Sequence, residues 1–411
     1  MSSRPPPQFS LILLPTLQCD ADCEYCFEKK GAPPLRPGQL PEIFAKIFAF
    51  MDERNTHELH VNWQGGEILT LSPAWLEEAR ELIQRTADTH RKQVKHFLQS
   101  NLIGYSPDWQ PVITGMFGKS IGSSVDYPNR HRKVKGGAVK DFNSIWLERA
   151  DAARKSGNHL GVIAVPSADT IEAGGETFYD HFTRVLGISD FQLNTPFAGG
   201  SANTVKTGYP LDPERLGVFF TELVDVWMEQ GYSEGVRIGP FDQLLAFFLD
   251  EPYVLPCIWH RNCADNFICI HPEGHLAQCD CWVASYPEYR FGNIFENGSL
   301  AAILGASPAR QRFLARPAEI IQHQDCIDCE FLGICHGGCP IRAYSVQGNL
   351  YDKDPYCPTY LTVFRHMRKV AARLAKGAGQ EETGAAVPNR DENMMEGIGL
   401  LSEGGYGRHD F

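Results

Sequence analysis

The chain has 411 residues, of which 43% are hydrophobic, 11% aromatic and 21% charged. That is enough apolar surface for one large core or two smaller ones, and it excludes a disordered, collagen-like or coiled-coil protein. With 38 Lys+Arg against 50 Asp+Glu the formal charge is −12, the wrong sign for a nucleic-acid surface. No apolar run is long enough to span a membrane, and the start lacks the apolar stretch of a secretory signal, so a cytoplasmic location is expected. Thirteen cysteines in such a reducing compartment need a reason other than disulfides, and the composition points to metal.

In chain order, short apolar runs at residues 9–14, 59–63, 97–99 and 160–165, with a weaker one at 191–194, predict strands. Between them, residues 41–52 place Ile43, Phe44, Ile47 and Phe48 on one helical face, and residues 73–85 and 213–230 begin with Pro in the first helical turn. Alternation of this kind predicts a parallel α/β sheet, open or closed into a barrel, with chemistry gathered at the carboxyl ends of the strands. From about residue 240 the texture changes to short segments and turns, with one last helix expected near 360–374. The segment 376–411 holds eight glycines and no clear period, which predicts a flexible tail.

The cysteines are clustered. Three lie within residues 19–26, none between 27 and 256, and ten between 257 and 357. Cys19, Cys23 and Cys26 follow the first predicted strand with CxxxCxxC spacing. A zinc loop would need a distant fourth ligand. Three thiolates around a cubane cluster instead leave one iron open, able to bind and activate a small molecule.

This motif, with aromatic Tyr25 inside it, resembles the CxxxCxΦC signature of the radical S-adenosylmethionine (radical SAM) superfamily. The resemblance implies a partial (β/α)6 TIM-like barrel and a [4Fe–4S] cluster on Cys19, Cys23 and Cys26 whose fourth iron is chelated by SAM. It also implies reductive cleavage of SAM to a 5′-deoxyadenosyl radical that abstracts hydrogen from substrate. Further matches follow in order. Gln64, Gly65, Gly66 and Glu67 resemble the family's GGE motif, expected to approach the SAM ammonium group. Asn101 closes the next strand, Ser123 and Asp126 resemble a segment contacting the ribose and carboxylate of SAM, and Gln192 and Asn194 are expected near the adenine.

The C-terminal cysteines have a definite spacing. Cys263 is followed by ten residues, Gly274, four residues and Cys279; then come Cys326, Cys329, Cys335 and Cys339, with Cys257 ahead and Cys357 beyond. CxxC pairs alone suit zinc ribbons. The whole pattern is similar to the SPASM extension of radical SAM enzymes, which implies two auxiliary [4Fe–4S] clusters and three clusters in all. By position, cluster I takes Cys257, Cys263, Cys279 and Cys339, and cluster II takes Cys326, Cys329, Cys335 and Cys357. Cys269 and Cys281 are left as buried thiols. The resemblance also implies that Asp280 is the base that deprotonates substrate as it is oxidised; on its residues alone it could equally be a turn carboxylate capping nearby amides.

The expected organisation is therefore a radical SAM barrel over 1–240, a SPASM domain over 241–375 and the tail over 376–411. The expected substrate is a peptide or protein, with a maturase of ribosomally made peptides as the leading reading. Anaerobic sulfatase maturation, forming formylglycine from Cys or Ser, and a small-molecule dehydrogenase or epimerase are the alternatives. A simple electron carrier would have no use for an open iron. Residues 256–340 look most like sulfatase maturases, but Leu102 replaces a glycine of their Thr-Asn-Gly motif, and no glycine follows Asp126. Expected partners are a peptide or protein substrate and a reductant such as flavodoxin or ferredoxin; since few residues precede Cys19, either the barrel reads its substrate directly or a separate peptide-recognition protein delivers it.

Overall fold

Residues 8–200 and 209–377 are described by the computed structural model; the expected tail lies outside the described residues from 378 onward. Seven strands run in parallel succession: β1 (Gln8–Leu13), β2 (Glu58–Trp63), β3 (Gln93–Leu98), β4 (Ser120–Ser124), β5 (His159–Ala164), β6 (Asp190–Leu193) and β7 (Arg237–Gly239). The arc is continuous, because a parallel bridge between Gln99 and Gly122 joins the β1–β3 side to the β4–β7 side. It is an α/β partial barrel, as the motif order predicted.

The helices cover its outside for the reason the sequence periodicity gives. α1 (Leu40–Glu53) buries Leu40, Ile43, Phe44, Ile47, Phe48 and Met51 against the sheet. α2 (Pro73–His90) starts where Ser72 accepts a hydrogen bond from Trp75 N at 3.1 Å, with Pro73 in its first turn. α3 (Gln110–Phe117) and α4 (Val139–Lys155) follow, and α4 buries Phe142, Trp146, Ala150 and Ala153. α5 (Pro213–Gln230) begins on Asp212, whose Oδ1 accepts from the amides of Glu214 and Arg215. The last helix, α7 (Cys357–Gly377), packs along α5.

The cysteine-rich part is tied into the same sheet. β8 (Phe267–Ile270) pairs in parallel with β1, Ser10 opposite Phe267 and Leu13 opposite Ile270, and β9 (His275–Ala277) and β10 (Gly292–Asn293) extend that edge antiparallel. α6 (Pro308–His323) is a sixteen-residue helix where only short segments were expected, because Pro317 in its interior reads as a breaker. Strand β3 extends well before the expected 97–99, since its first residues alternate with exposed polar side chains. No helix among the described residues is long and apolar enough to cross a membrane.

Candidate active site

The loop leaving β1 carries Cys19, Cys23 and Cys26, all half-buried. It is held on one side by a second segment. Ala21 bridges Val134, Asp22 N donates to Lys133 O at 2.8 Å, Glu24 N to His131 O at 3.0 Å, and Lys135 N to Asp20 O at 2.7 Å. Loss of water around the thiols raises Cys19 to about 12 and Cys26 to about 11, so without a metal they stay protonated. A bound metal would take the place of those protons.

On its other side the loop meets the end of β2. Gly66 N donates to Thr16 O at 3.0 Å and Glu67 N to Gln18 O at 2.7 Å. A Cβ on Gly66 would lie 2.2 Å from Gln18 O, and one on Gly65, at φ 132°, would lie 2.5 Å from Thr16 O. Both glycines are therefore needed where they press on the backbone of the cysteine loop itself. Glu67 is buried and its carboxylate accepts from Leu69 N (3.0 Å), Ser100 Oγ (2.7 Å) and Asn101 N (2.6 Å), while burial raises it to about 7. It organises the turn after β3. Asn101 in that turn donates through Nδ2 to Asp20 at 2.7 Å and lies 3.8 Å from Cys19 Sγ. Leu102 keeps the left-handed conformation, φ 64°, at the position where the sulfatase maturases are expected to have glycine.

Asp126 is a buried hub. Its Oδ2 accepts from Tyr25 OH at 2.6 Å and Arg132 Nε at 2.9 Å, and its Oδ1 from Val165 N at 2.9 Å. The Arg132 guanidinium also sits 5.2 Å from the Tyr25 ring centroid. Asp126 thus joins the cysteine loop, its flanking segment and the end of β5. Ser123, expected near SAM, is fully buried, and its hydroxyl accepts from Trp146 Nε1 of α4 at 3.0 Å. Side chains alternate along a strand, so the neighbour Ser124 faces the other way, where Gln99 Nε2 donates to it at 2.9 Å. Gln192 and Asn194, two residues apart, share one face and are joined by a 2.9 Å hydrogen bond.

Asp280 opens a short helix, Asp280–Ser285, directly after Cys279. Its Oδ2 accepts from Gln64 Nε2 at 3.0 Å, so the strand end of the GGE motif and the C-terminal cysteines meet at this carboxylate. Its Oδ1 accepts from Cys281 N at 2.9 Å, the amide-capping role that was its other reading. Burial raises its pKa above the ordinary carboxylate value. Glu28, two residues after Cys26, went unnoticed in the sequence. It is 5% exposed, neither oxygen has a hydrogen-bond partner among the described residues, and burial with the nearby charge of Asp280 raises it to about 8.

Among the C-terminal thiols, Cys257 and Cys263 have Cys279 and Cys339 as electrostatic neighbours, whereas Cys335 has Cys357 and Cys326, and Cys357 has Cys326 and Cys329. Cys326, Cys329, Cys335 and Cys357 line one cavity of about 640 Å³. Zinc–sulfur bonds of about 2.3 Å would draw thiolates to within roughly 4 Å of one another. Among the described residues the close metal-binding group, with ligand atoms within 4.8 Å, is Cys279, Asp280 and Cys281, and neither the trio nor either quartet forms one. Spread, all-thiolate donors fit a multi-iron cluster, one sulfur per iron, better than a single ion. Cys269 is a fully buried thiol of β8, and Cys281 lies beside Cys279 and Asp280 in the close group.

No protein-family model matches the chain. It is 24% identical over 379 residues to the serine-type anaerobic sulfatase-maturating enzyme of Bacteroides thetaiotaomicron, spanning 85% of this chain and 86% of that one. It is 20% identical over 392 residues to the radical SAM cyclopropyl synthase TigE of Paramaledivibacter caminithermalis, spanning 87% of this chain and 73% of that one. The solved structure of native anSMEcpe with bound AdoMet and the Kp18Cys peptide matches with a TM-score of 0.74 at 20% identity, over 90% of this chain and 100% of the other. These likenesses run through the barrel and the cysteine-rich region together. In sequence pattern and in fold, the chain resembles radical SAM enzymes of the SPASM type.

Proposed function

We propose that this chain is a radical SAM oxidoreductase of peptides. It would hold one SAM-binding [4Fe–4S] cluster on Cys19, Cys23 and Cys26 and two auxiliary clusters on the C-terminal quartets. When bound, the reduced cluster and SAM supply a 5′-deoxyadenosyl radical for hydrogen abstraction. The chain's own contribution is positional. Glu67 and Asp126 fix the loop beside the first cluster, and Asn101, Gln192 and Asn194 offer polar groups to SAM.

The observation that carries this reading is the 3.0 Å hydrogen bond from Gln64 to Asp280. It aims a carboxylate of raised pKa between the trio loop and an auxiliary ligand, Cys279, where a base would take the substrate proton during oxidation. The division into 1–240 and 241–375, a flavodoxin or ferredoxin as electron donor, and a cytoplasmic site of action belong to the same proposal.

Sulfatase-type maturation is the second reading, favoured by the serine-type maturases among the relatives. The deciding experiment incubates the anaerobically reconstituted chain with SAM, dithionite and either a serine-containing sulfatase-motif peptide or a peptide encoded beside its gene. Mass spectrometry should show a two-hydrogen loss or a crosslink in one of them, with 5′-deoxyadenosine released. Asp280→Asn should abolish the modified peptide while leaving 5′-deoxyadenosine formation. Full turnover by that variant would remove Asp280 as the base.

A further inference from the structure

The two quartets of thiols are joined by a very short tether. Cys335, assigned to cluster II, and Cys339, assigned to cluster I, are separated by His336, Gly337 and Gly338. All three have positive φ, at 48°, 82° and 72°. The tether is gripped from two sides. Asp354 accepts from Cys339 N through Oδ2 at 2.9 Å, and its own amide donates to Gly337 O at 2.9 Å. A Cβ on Gly338 would lie 2.4 Å from the Asp354 side chain, which leaves room for nothing larger than glycine.

Arg316, on α6, grips the other side. Its Nη1 donates to His336 O at 3.2 Å and its Nη2 to Gly337 O at 3.2 Å and Asp352 O at 3.1 Å, while Nε donates to Leu350 O at 2.9 Å. The guanidinium is 5% exposed, and all four acceptors are neutral carbonyls. Asp354, the nearest carboxylate in charge terms, already lies 3.6 Å from Arg342, which also donates to Tyr360 OH at 3.1 Å. Among the described residues no carboxylate pairs with Arg316 at ion-pair distance.

A buried cation without a counter-charge is costly. The other groups acting electrostatically on Arg316 are the sulfurs of Cys263 and Cys339 from one quartet and Cys335 from the other, which would become negative as cluster ligands. A [4Fe–4S] core ligated by four thiolates carries net negative charge and gains more on reduction. The missing counter-charge of Arg316 is thus what the two cluster sites would provide.

We propose that Arg316 is a counter-charge shared by the two auxiliary clusters, clamping the tether between them and raising the reduction potential of both. This rests on the reading that each quartet holds a [4Fe–4S] cluster. A fixed positive charge favours the more negative, reduced state of each cluster, so its removal makes both harder to reduce. Arg316 is a positioning and tuning residue, remote from the hydrogen-abstraction site.

The test uses the full chain with Cys19, Cys23 and Cys26 changed to Ala, so that the paramagnetic signals come from the auxiliary clusters alone. This parent should hold about eight irons; a parent holding none would sink the two-cluster reading and leave the role of Arg316 without a subject. In a redox titration followed by electron paramagnetic resonance, Arg316→Gln should shift both midpoint potentials downward, and Arg316→Lys should restore them most of the way. Unchanged potentials in Arg316→Gln, or a shift confined to one cluster, would overturn the proposal. Should Arg316→Gln fail to retain iron, retention by Arg316→Lys at parental potentials supports the charge role. Equal iron loss in both variants reduces Arg316 to a shape-filling clamp and overturns it.

Discussion

The two cysteine-bearing regions of the molecule are stabilised in different ways. The trio loop is carried by the barrel and placed by the chain's own contacts: the bridge from Ala21 to Val134, the Tyr25–Asp126–Arg132 hub and the approach of Gly66 to Thr16. The C-terminal thiols sit on short pieces, such as the four-residue helices Cys263–Asn266 and Leu332–Cys335, and four of them line a cavity of about 640 Å³. On the proposed reading a cluster there would take over part of the work of a hydrophobic core. One region would then be ready for its metal, whereas the other would depend on it.

Metal removal should separate the two most widely. In hydrogen exchange of iron-free against iron-loaded protein, amides of residues 326–357 should lose most of their protection while those of β1 and β2 keep theirs. Equal loss in both would erase the contrast. Asp126→Ala strikes at the metal-independent side by leaving Arg132 buried without its partner, and should cost about 3–5 kcal/mol of barrel stability, read as a lowered Tm of the iron-free protein. A negligible change would mean that the loop is held chiefly by its backbone bonds. The smallest effect sharpens the same point. Gly66→Ala, forced against Gln18 O, should destabilise by about 1–3 kcal/mol, whereas Gly115→Ala on the exposed face of α3 meets nothing within 4 Å and should be neutral or stabilising by up to about 1 kcal/mol.

Much of this organisation could be read from spacing alone. The helices α1, α2 and α5 lie where Pro starts and apolar periodicity put them. What escaped was of three physical kinds. β4 is too small and polar, Ser120 to Ser124, to stand out as an apolar run, and α6 hides behind Pro317. Ser123 and Ser124 look alike in sequence, and only strand register decides that Ser123 meets Trp146 while Ser124 faces Gln99. Glu28 and Arg316 carry no motif at all. What marks them out is what does not touch them among the described residues: two carboxylate oxygens without donors in one case, a guanidinium without a carboxylate in the other. Such absences belong to three-dimensional surroundings and leave no mark on spacing.

The pairing of β8 with β1 has a consequence for how the chain comes into being. Residues 10–13 of β1 receive one of their two neighbours from residues 58–63, made soon after, but the other only from residues 267–270. During synthesis from the N-terminus, the first strand of the barrel therefore waits with one edge bare until most of the described chain has emerged. An unpaired apolar edge is a template for association with other chains. The cysteine-rich segment closes that edge with Phe267 to Ile270, the residues that lead toward Cys279, so the strand that completes the edge is made late, together with the thiols that follow it.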